Sequence, residues 1–187
     1  MFLSRNFDLD SGFTLAELLI VVVLIILLAA IALPNLLRSQ IAANETAAIE
    51  SLAKINKAEV TYQTAFPTLG FASSMQALGP ESCDGKCEAK EKPPSSAHAC
   101  LIEGALAASD NPSHTRAGYW FSISPTSTDA GGVTTGYVAG ASAGIFNKTG
   151  SRDFCSLEDA VIRFSVPDGN SKPPTTAAAC SAMTVLQ

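Results

Sequence analysis

One acidic residue interrupts a membrane-length apolar segment near the start of this sequence. Glu17 is the only charged side chain between Gly12 and Leu33. An ionised side chain at the centre of a bilayer costs roughly 2.5–3.5 kcal/mol on insertion scales, and such residues usually have a function and a partner. The position of Glu17 therefore predicts a site at which another group compensates its charge.

Cysteine is the second residue type that could do chemistry here. All five cysteines follow the apolar segment, and they are Cys83, Cys87, Cys100, Cys155 and Cys180. This placement favours a domain exported to an oxidising compartment, where disulfides persist. The odd number leaves at least one thiol free or paired with another chain. One pair is expected among the first three cysteines, and the sequence leaves open which one.

A zinc site is the alternative interpretation of Cys83-x3-Cys87 with His98 and Cys100. Disulfide bonding is favoured over zinc, because an exported loop that contains two consecutive prolines is a poor preformed metal cage. Asp168-Gly169-Asn170 resembles part of a calcium loop, but a plain turn is favoured there. We therefore expect no metal and no cofactor.

No catalytic arrangement stands out in the sequence. His98 and His114 are the only histidines, and no nucleophile motif such as GxSxG accompanies them. They are expected to be solvated surface side chains. The chain is therefore predicted not to be an enzyme, with no catalytic residue assigned.

The apolar segment itself is expected to be a helix. Phe13 to Leu33 would span roughly 31 Å at about 1.5 Å per residue, close to the thickness of a bilayer core. It is longer than the apolar part of a typical secretory signal, and no A-x-A-like cleavage site follows it, which disfavours a cleaved secretory signal. The flanking Lys and Arg residues give no clear orientation.

The helix is predicted to continue beyond Pro34, which should kink it. From Leu37 onward, mostly apolar residues recur every three or four positions and form a stripe on one face of the helix. Phe66-Pro67 should end the helix. The stripe comprises Leu37, Ile41, Glu45, Ala48, Leu52, Ile55, Glu59 and Tyr62. It is expected to pack against the remainder of its own domain.

The remainder of the chain is predicted to be a small head. Short helices are expected at Ser73–Leu78 and Ser96–Ala108, and a polar loop lies between them. Strands are expected from Tyr119 to Ile123, at Thr135–Ala141, at Phe154–Cys155 and at Ala160–Val166. Three or four antiparallel strands laid across the long helix give an α+β fold. The net charge of −5 and the lack of a basic stripe disfavour nucleic-acid binding by the bulk surface.

The start of the chain resembles a known family. Gly12-Phe13-Thr14-Leu15-Ala16-Glu17, followed by an uninterrupted apolar stretch, is similar to the class III signal of type IV pilins and type II secretion pseudopilins. Pro34 also falls where many of these proteins have a helix-kinking proline. The resemblance covers about residues 1–66 and implies the pilin fold, in which a long kinked N-terminal helix packs against a small antiparallel sheet.

The resemblance divides the chain into four parts. Residues 1–12 would be a leader, 13–33 the half of the helix that crosses the membrane and later forms the filament core, 34–66 its amphipathic half, and 67–187 the head. Cys155 and Cys180 are the pair expected to bridge, similar to the C-terminal disulfide loop of many pilins.

The resemblance also implies a mechanism. A prepilin peptidase would cut after Gly12 and methylate the new amino group of Phe13. The subunit would wait in the bacterial inner membrane with its head in the periplasm. An assembly ATPase and its platform protein would then extract it into a homo-oligomeric helical filament, either an extracellular pilus for adhesion, twitching motility or DNA uptake, or a periplasmic pseudopilus for type II secretion.

Glu17 has a role in this mechanism, because its carboxylate can neutralise the Phe13 amine of a neighbouring subunit. An unpaired charge in an apolar environment is strongly penalised, whereas a paired one is tolerated. A Glu17 side chain that only reaches to water at a membrane surface is the alternative. At the level of the whole chain, the alternative is a signal-anchored periplasmic enzyme or binding protein that keeps Met1–Gly12.

Overall fold

The computed structural model describes residues 13–81, 94–169 and 172–186. The first element is one long helix, α1, which runs from Leu15 to Ala65 and contains Pro34. The chain divides into two compact units, one up to Ser39 and one from Gln40. The leader with Gly12, as well as Cys83 and Cys87, lies outside the described residues.

The part of α1 in the second unit packs on the head through the predicted stripe. Six of the eight stripe positions are buried, namely Glu45, Ala48, Leu52, Ile55, Glu59 and Tyr62. The stripe forms because residues three and four apart share one face of a helix. Asn44, which lies outside the stripe, is half-buried, and its Nδ2 donates to the Thr149 carbonyl at 2.9 Å.

A five-stranded antiparallel sheet covers this stripe. Its strands are β1 (Tyr119–Thr128), β2 (Thr134–Ala143), β3 (Asp153–Leu157), β4 (Arg163–Ser165) and β5 (Thr184–Val185). They lie side by side in the order of the sequence. The α+β fold, with a long helix packed on a small antiparallel sheet, is therefore confirmed as a pilin-like architecture.

The sheet differs from the prediction at both of its edges. The first strand was predicted to end near Ile123, but β1 continues through Pro125 to Thr128. An edge strand tolerates proline, since one side of its backbone needs no ladder partner. The short edge strand β5 was not predicted, because two residues give no periodicity to recognise.

Three short helices complete the head: α2 (Met75–Leu78), α3 (Gly104–Ala107) and α4 (Ala177–Ser181). The predicted helix over Ser96–Ala108 is wrong outside α3. Cys100 has a positive φ of 58°, which no α-helix contains. Its neighbours Ala99 and Leu101 donate their backbone N–H groups to the carbonyls of Ala77 and Leu78, so tertiary pairing replaces the helix.

Buried aromatic side chains fill the core between α1 and the sheet. Tyr119 and Phe121 from β1, Tyr137 from β2 and Phe154 from β3 are almost fully buried. The buried hydroxyls have partners, because Tyr119 donates to the Arg152 carbonyl and Tyr137 to Asn56 Oδ1. Such satisfied hydroxyls let tyrosine serve as a core residue.

One segment links the end of α1 to the start of β2. Phe71 donates its N–H to the Thr134 carbonyl at 3.0 Å, and Thr134 donates to the Leu69 carbonyl at 2.9 Å. Gly70 between them has a φ of +81°, and a Cβ there would lie 2.0 Å from the Thr134 oxygen. Only glycine fits this approach of two backbones.

Two disulfide arrangements are visible in the head. Cys155 and Cys180 are bonded, which confirms the expected bridge and ties α4 to β3. Cys100 is disulfide-bonded as well. Its bonding in a disulfide argues against the zinc alternative, which needed Cys100 as a thiolate ligand.

Candidate functional site

The first unit presents an apolar helix whose large side chains are exposed in the described part of the chain. The apolar side chains from Leu15 to Leu37 are exposed around the whole circumference of α1. Among the described residues, α1 is the one helix long and apolar enough to cross a membrane. This segment is compatible with a single-pass anchor, and its surface needs lipid or other apolar helices around it.

Glu17 sits in the first turn of this helix and caps it. Its Oε2 accepts hydrogen bonds from the Thr14 backbone N–H at 3.0 Å and from the Thr14 hydroxyl at 2.8 Å. In return, the Glu17 N–H donates to the Thr14 hydroxyl oxygen at 3.2 Å. This reciprocal pattern is a capping box, which satisfies two N–H groups that a helix start leaves unpaired.

This capping role was not predicted, although the sequence contains its signal. Thr14-x-x-Glu17 is the usual capping-box spacing, with threonine before the first helical residue and glutamate at the third. From the sequence, the charge in the apolar segment was interpreted only as a site for a partner in another subunit. The structure adds a local function for the same side chain.

The capping box leaves half of the Glu17 carboxylate unused. Within the described residues, Oε2 accepts both hydrogen bonds of this carboxylate and Oε1 accepts none. The sequence has no Lys or Arg between Phe13 and Leu37, so the apolar half of α1 supplies no cation. Phe13, immediately before the capping threonine, is 82% exposed. A positive group close to Phe13 would therefore meet a free carboxylate oxygen.

A second glutamate on α1, Glu45, fastens the helix to the head. Its Oε2 accepts from Arg152 Nη2 at 2.6 Å, and its Oε1 accepts from the Ser151 hydroxyl at 2.7 Å. Burial alone would raise the pKa of Glu45, but the hydrogen bonds from Arg152 and Ser151 hold that pKa below its usual value. The Arg152 guanidinium also stacks over the Phe154 and Phe164 rings, 5.4 and 5.3 Å from their centroids.

A third glutamate, Glu59, is fully buried without a counter-ion. Its Oε2 accepts the Ala72 N–H at 2.8 Å, while its Oε1 has no hydrogen-bond partner. Burial raises the pKa of Glu59 to about 8, against the smaller opposing effect of the Ala72 hydrogen bond. The carboxyl group is therefore protonated at neutral pH, which removes the cost of a buried charge.

Both histidines line one polar cleft of about 330 Å³ beside α2 and α3. His114 is exposed there, and the Asp110 carboxylate is occupied by Gln76 Nε2 and Asn111 Nδ2. In the described parts of the chain, no three His, Cys, Asp or Glu side chains converge to hold a metal ion. The described residues that line the cleft include no serine, threonine or cysteine.

No family model, curated protein or solved structure matches this chain. The fold and the site define it as an α+β protein whose long first helix combines a membrane-length apolar half with a half that packs on an antiparallel sheet. The distinctive chemical feature of this structure is the start of the apolar half of α1, where a glutamate takes part in the helix cap.

Proposed function

We propose that the chain is the structural subunit of a type IV pilus-like filament and that it assembles through its N-terminal helix. The observation that supports the proposal is that Oε1 of Glu17 has no hydrogen-bond partner among the described residues, at the start of a helix half whose apolar side chains are exposed. Such a helix needs both apolar neighbours and a compensating positive charge. A second copy of the same processed chain supplies both.

The positive charge would come from cleavage. Removal of residues 1–12 by a prepilin peptidase leaves the Phe13 α-amino group as the new N-terminus, next to the capping residue Thr14. Methylation of this amine by the same enzyme retains its positive charge. The amine of one subunit would then pair with Glu17 of its neighbour, because an isolated charge among apolar helices is costly and a paired one is tolerated.

The pair would also set the stagger between subunits. Phe13 and Glu17 are four residues apart, which is about one helical turn or 6 Å along the axis. Parallel helices displaced by about this amount satisfy both charges, while other displacements leave them unpaired. A single buried polar contact fixes register in coiled coils in the same way.

Before assembly, the same apolar half would hold the subunit in the bacterial inner membrane with its head in the periplasm. The assembly platform and its ATPase would then transfer the helix from lipid to the filament core. The exposed apolar surface from Leu15 to Leu37 suits both environments, because lipid tails and neighbouring apolar helices cover it equally well.

A purely local role for Glu17 is the competing explanation, because the capping box gives the carboxylate a function in a single chain. Glu17→Gln separates the two explanations, since glutamine also completes a capping box but carries no charge. If the charge pairs between subunits, Glu17→Gln reduces filament yield as strongly as Glu17→Ala does. A wild-type yield from Glu17→Gln would reduce Glu17 to a capping residue.

Intact-mass analysis of the membrane and filament fractions tests the processing step. We expect the mature chain to lack residues 1–12 and to carry one additional methyl group on Phe13. A mature chain that still starts at Met1 would overturn the proposal and support a signal-anchored periplasmic protein. Shearing the cells then separates the two filament types, since surface pili are released and a type II secretion pseudopilus stays in the periplasm.

A further inference from the structure

One face of α1 in the second unit remains uncovered by the head. Its positions follow one another by four and three residues, and all of them are exposed: Thr46, Glu50, Ala53, Lys57, Val60 and Thr64. The steps average 3.6 residues, so these side chains share one face of the helix. Val60 on this face is 57% exposed, although it lies on the same helix as the fully buried Leu52 and Ile55.

The threonine hydroxyls of this face are bonded within their own helix. The Thr46 hydroxyl donates to the Ala42 carbonyl at 3.0 Å, and the Thr64 hydroxyl donates to the Val60 carbonyl at 2.8 Å. Because both hydroxyls already have partners on their own helix, covering them leaves no hydrogen-bond donor unpaired. Ala53 and Val60 add small apolar surfaces, so a second helix can approach closely.

The two charges on the face have no partner in their own chain. Glu50 and Lys57 form no ion pair or hydrogen bond within the described residues, whereas nearby Lys54 lies 3.5 Å from Glu103. Glu50 and Lys57 are seven residues apart, or about 10.5 Å along the helix, which is too far for them to pair with each other. They can compensate each other only between two copies of the helix.

We propose that this face is a second contact between copies of the chain, in which Glu50 of one α1 pairs with Lys57 of the next. The inference rests on the proposed function, from which it takes the parallel direction of the helices. A displacement of one turn brings Glu50 of one copy to within about 4.5 Å, along the axis, of Lys57 in the other, and two turns bring them level. The direction of displacement that pairs Phe13 with Glu17 also pairs these two residues.

The occupant is a second copy rather than another partner because the face is complementary to itself. It carries one acid and one base at a spacing that a displaced copy matches, together with small side chains that permit close packing. A chain with an unrelated partner helix would need no such opposite pair on one face. The contact would extend the helix–helix interface of the apolar half into the head unit.

Charge reversal and its compensation test the pair in the full-length chain. Glu50→Lys and Lys57→Glu each place like charges opposite one another, so we expect each to lower sheared filament yield at least about fivefold at unchanged membrane levels of subunit. The double variant Glu50→Lys/Lys57→Glu restores opposite charges between copies and should return the yield to within about twofold of wild type. Lys172→Glu, a reversal at an exposed position outside α1, is the matched control and should assemble normally.

Wild-type yield from both single reversals would overturn the pair, and so would single defects that the double variant does not rescue. Cross-linking provides a second measurement that does not depend on reversed charges. The variant Glu50→Cys/Lys57→Cys, treated with a short bis-maleimide, should give a ladder of oligomers that the wild-type chain with the same reagent lacks. Dimers without a ladder would indicate an antiparallel contact and overturn the proposal, as would no cross-link.

The outcomes also separate this inference from the proposed function. If Glu17→Gln abolishes assembly and the reversals at Glu50 and Lys57 do not affect it, the filament function stands and the second contact fails. If the mature wild-type chain still starts at Met1 and enters no filament, the proposed function itself fails. Where a reversal variant does not accumulate in the membrane, the cross-linking result decides.

Discussion

The Glu59 carboxylate on α1 accepts the backbone N–H of Ala72 at 2.8 Å, and this contact joins the long helix to the segment that leads into the head. The next residue back, Phe71, donates its own N–H to the Thr134 carbonyl at the start of β2. Glu59 thus connects helix, link and sheet through two successive backbone groups. It does so as a neutral acid, since the pKa of Glu59 is raised to about 8 by burial.

Glu59 should make the protein less stable as the pH rises. In the unfolded chain the carboxyl has its ordinary pKa of 4.5, and in the folded chain its pKa is about 8. Between these values the folded state holds a proton that the unfolded state has lost, so stability falls with rising pH until the folded group ionises. The shift corresponds to a total of about 5 kcal/mol.

Glu59→Gln should remove this dependence. Its amide oxygen can still accept the Ala72 N–H, but the side chain cannot ionise. We expect the stability of the variant, measured by thermal unfolding of the full chain in detergent, to rise relative to that of the wild type as the pH increases from 5 to 8. The Tyr62 and Tyr137 hydroxyls, the titratable groups that interact with Glu59, stay protonated in this range because their pKa values are raised by burial. Parallel stability curves for the two proteins would contradict a buried neutral acid.

Glu45 should show the opposite pH dependence. Hydrogen bonds from Arg152 and Ser151 overcome the effect of burial and lower the pKa of Glu45, so its contribution is present above the unfolded pKa and is lost as the pH falls through the folded one. Glu45→Gln removes the ion pair with Arg152 and should cost about 2–3 kcal/mol near neutral pH. Urea unfolding at pH 7 and pH 3 checks this, since the difference between variant and wild type should shrink at the lower pH.

Gly70→Ala should disrupt the link between α1 and β2. An added Cβ would meet the Thr134 carbonyl oxygen at 2.0 Å, and the φ of +81° is unfavourable for alanine in any case. We expect a loss of at least about 2 kcal/mol in the free energy of unfolding. Gly132→Ala is the matched control, because Gly132 has a similar φ of +86° with open space around its Cβ position. Equal losses in the two variants would attribute the effect to φ alone.

The long helix and its buried face could be predicted from the sequence because the signal is long and regular. Leu52 and Ile55 recur with helical spacing, and Phe66-Pro67 marks the end to within one residue of the observed Ala65. The short head elements could not be predicted as well. The segment around Cys100 has helical periodicity, but its backbone N–H groups pair with Ala77 and Leu78, and only the tertiary structure provides those partners.

The polar contacts of α1 show a similar limit. Glu45 and Glu59 both fall in the predicted stripe, yet the sequence does not indicate which glutamate is ionised. The difference depends on Arg152, which is distant in sequence and lies beside Glu45 only in the folded head. The capping of Glu17 by Thr14 was predictable, because both residues lie within one turn and their spacing alone defines the motif.

The disulfide between Cys155 and Cys180 should stabilise the C-terminal part of the head. It joins β3 to α4 across 25 residues, and both sulfur atoms belong to buried residues packed near Met183. Replacing both cysteines by serine should cost about 2–4 kcal/mol. Limited proteolysis should then cleave the segment that contains α4 and β5 before the remainder of the head. A free energy of unfolding that the replacement leaves unchanged would contradict this role.

Thr14→Ala removes the cap and keeps the charge, whereas Glu17→Gln keeps the cap and removes the charge. The two variants together therefore separate capping from assembly. Alanine removes the hydroxyl that accepts the Glu17 N–H and donates to Glu17 Oε2, while the Glu17 charge remains. The loss of the cap should cost about 1 kcal/mol and fray only the first turn of α1. Because the carboxylate stays available to a neighbouring Phe13 amine, filament yield should remain within about twofold of wild type, a change well below that expected for Glu17→Gln. Shearing followed by quantitative immunoblotting measures both variants side by side. A Thr14→Ala defect as large as that of Glu17→Gln would mean that the helix start, and not the charge, limits assembly.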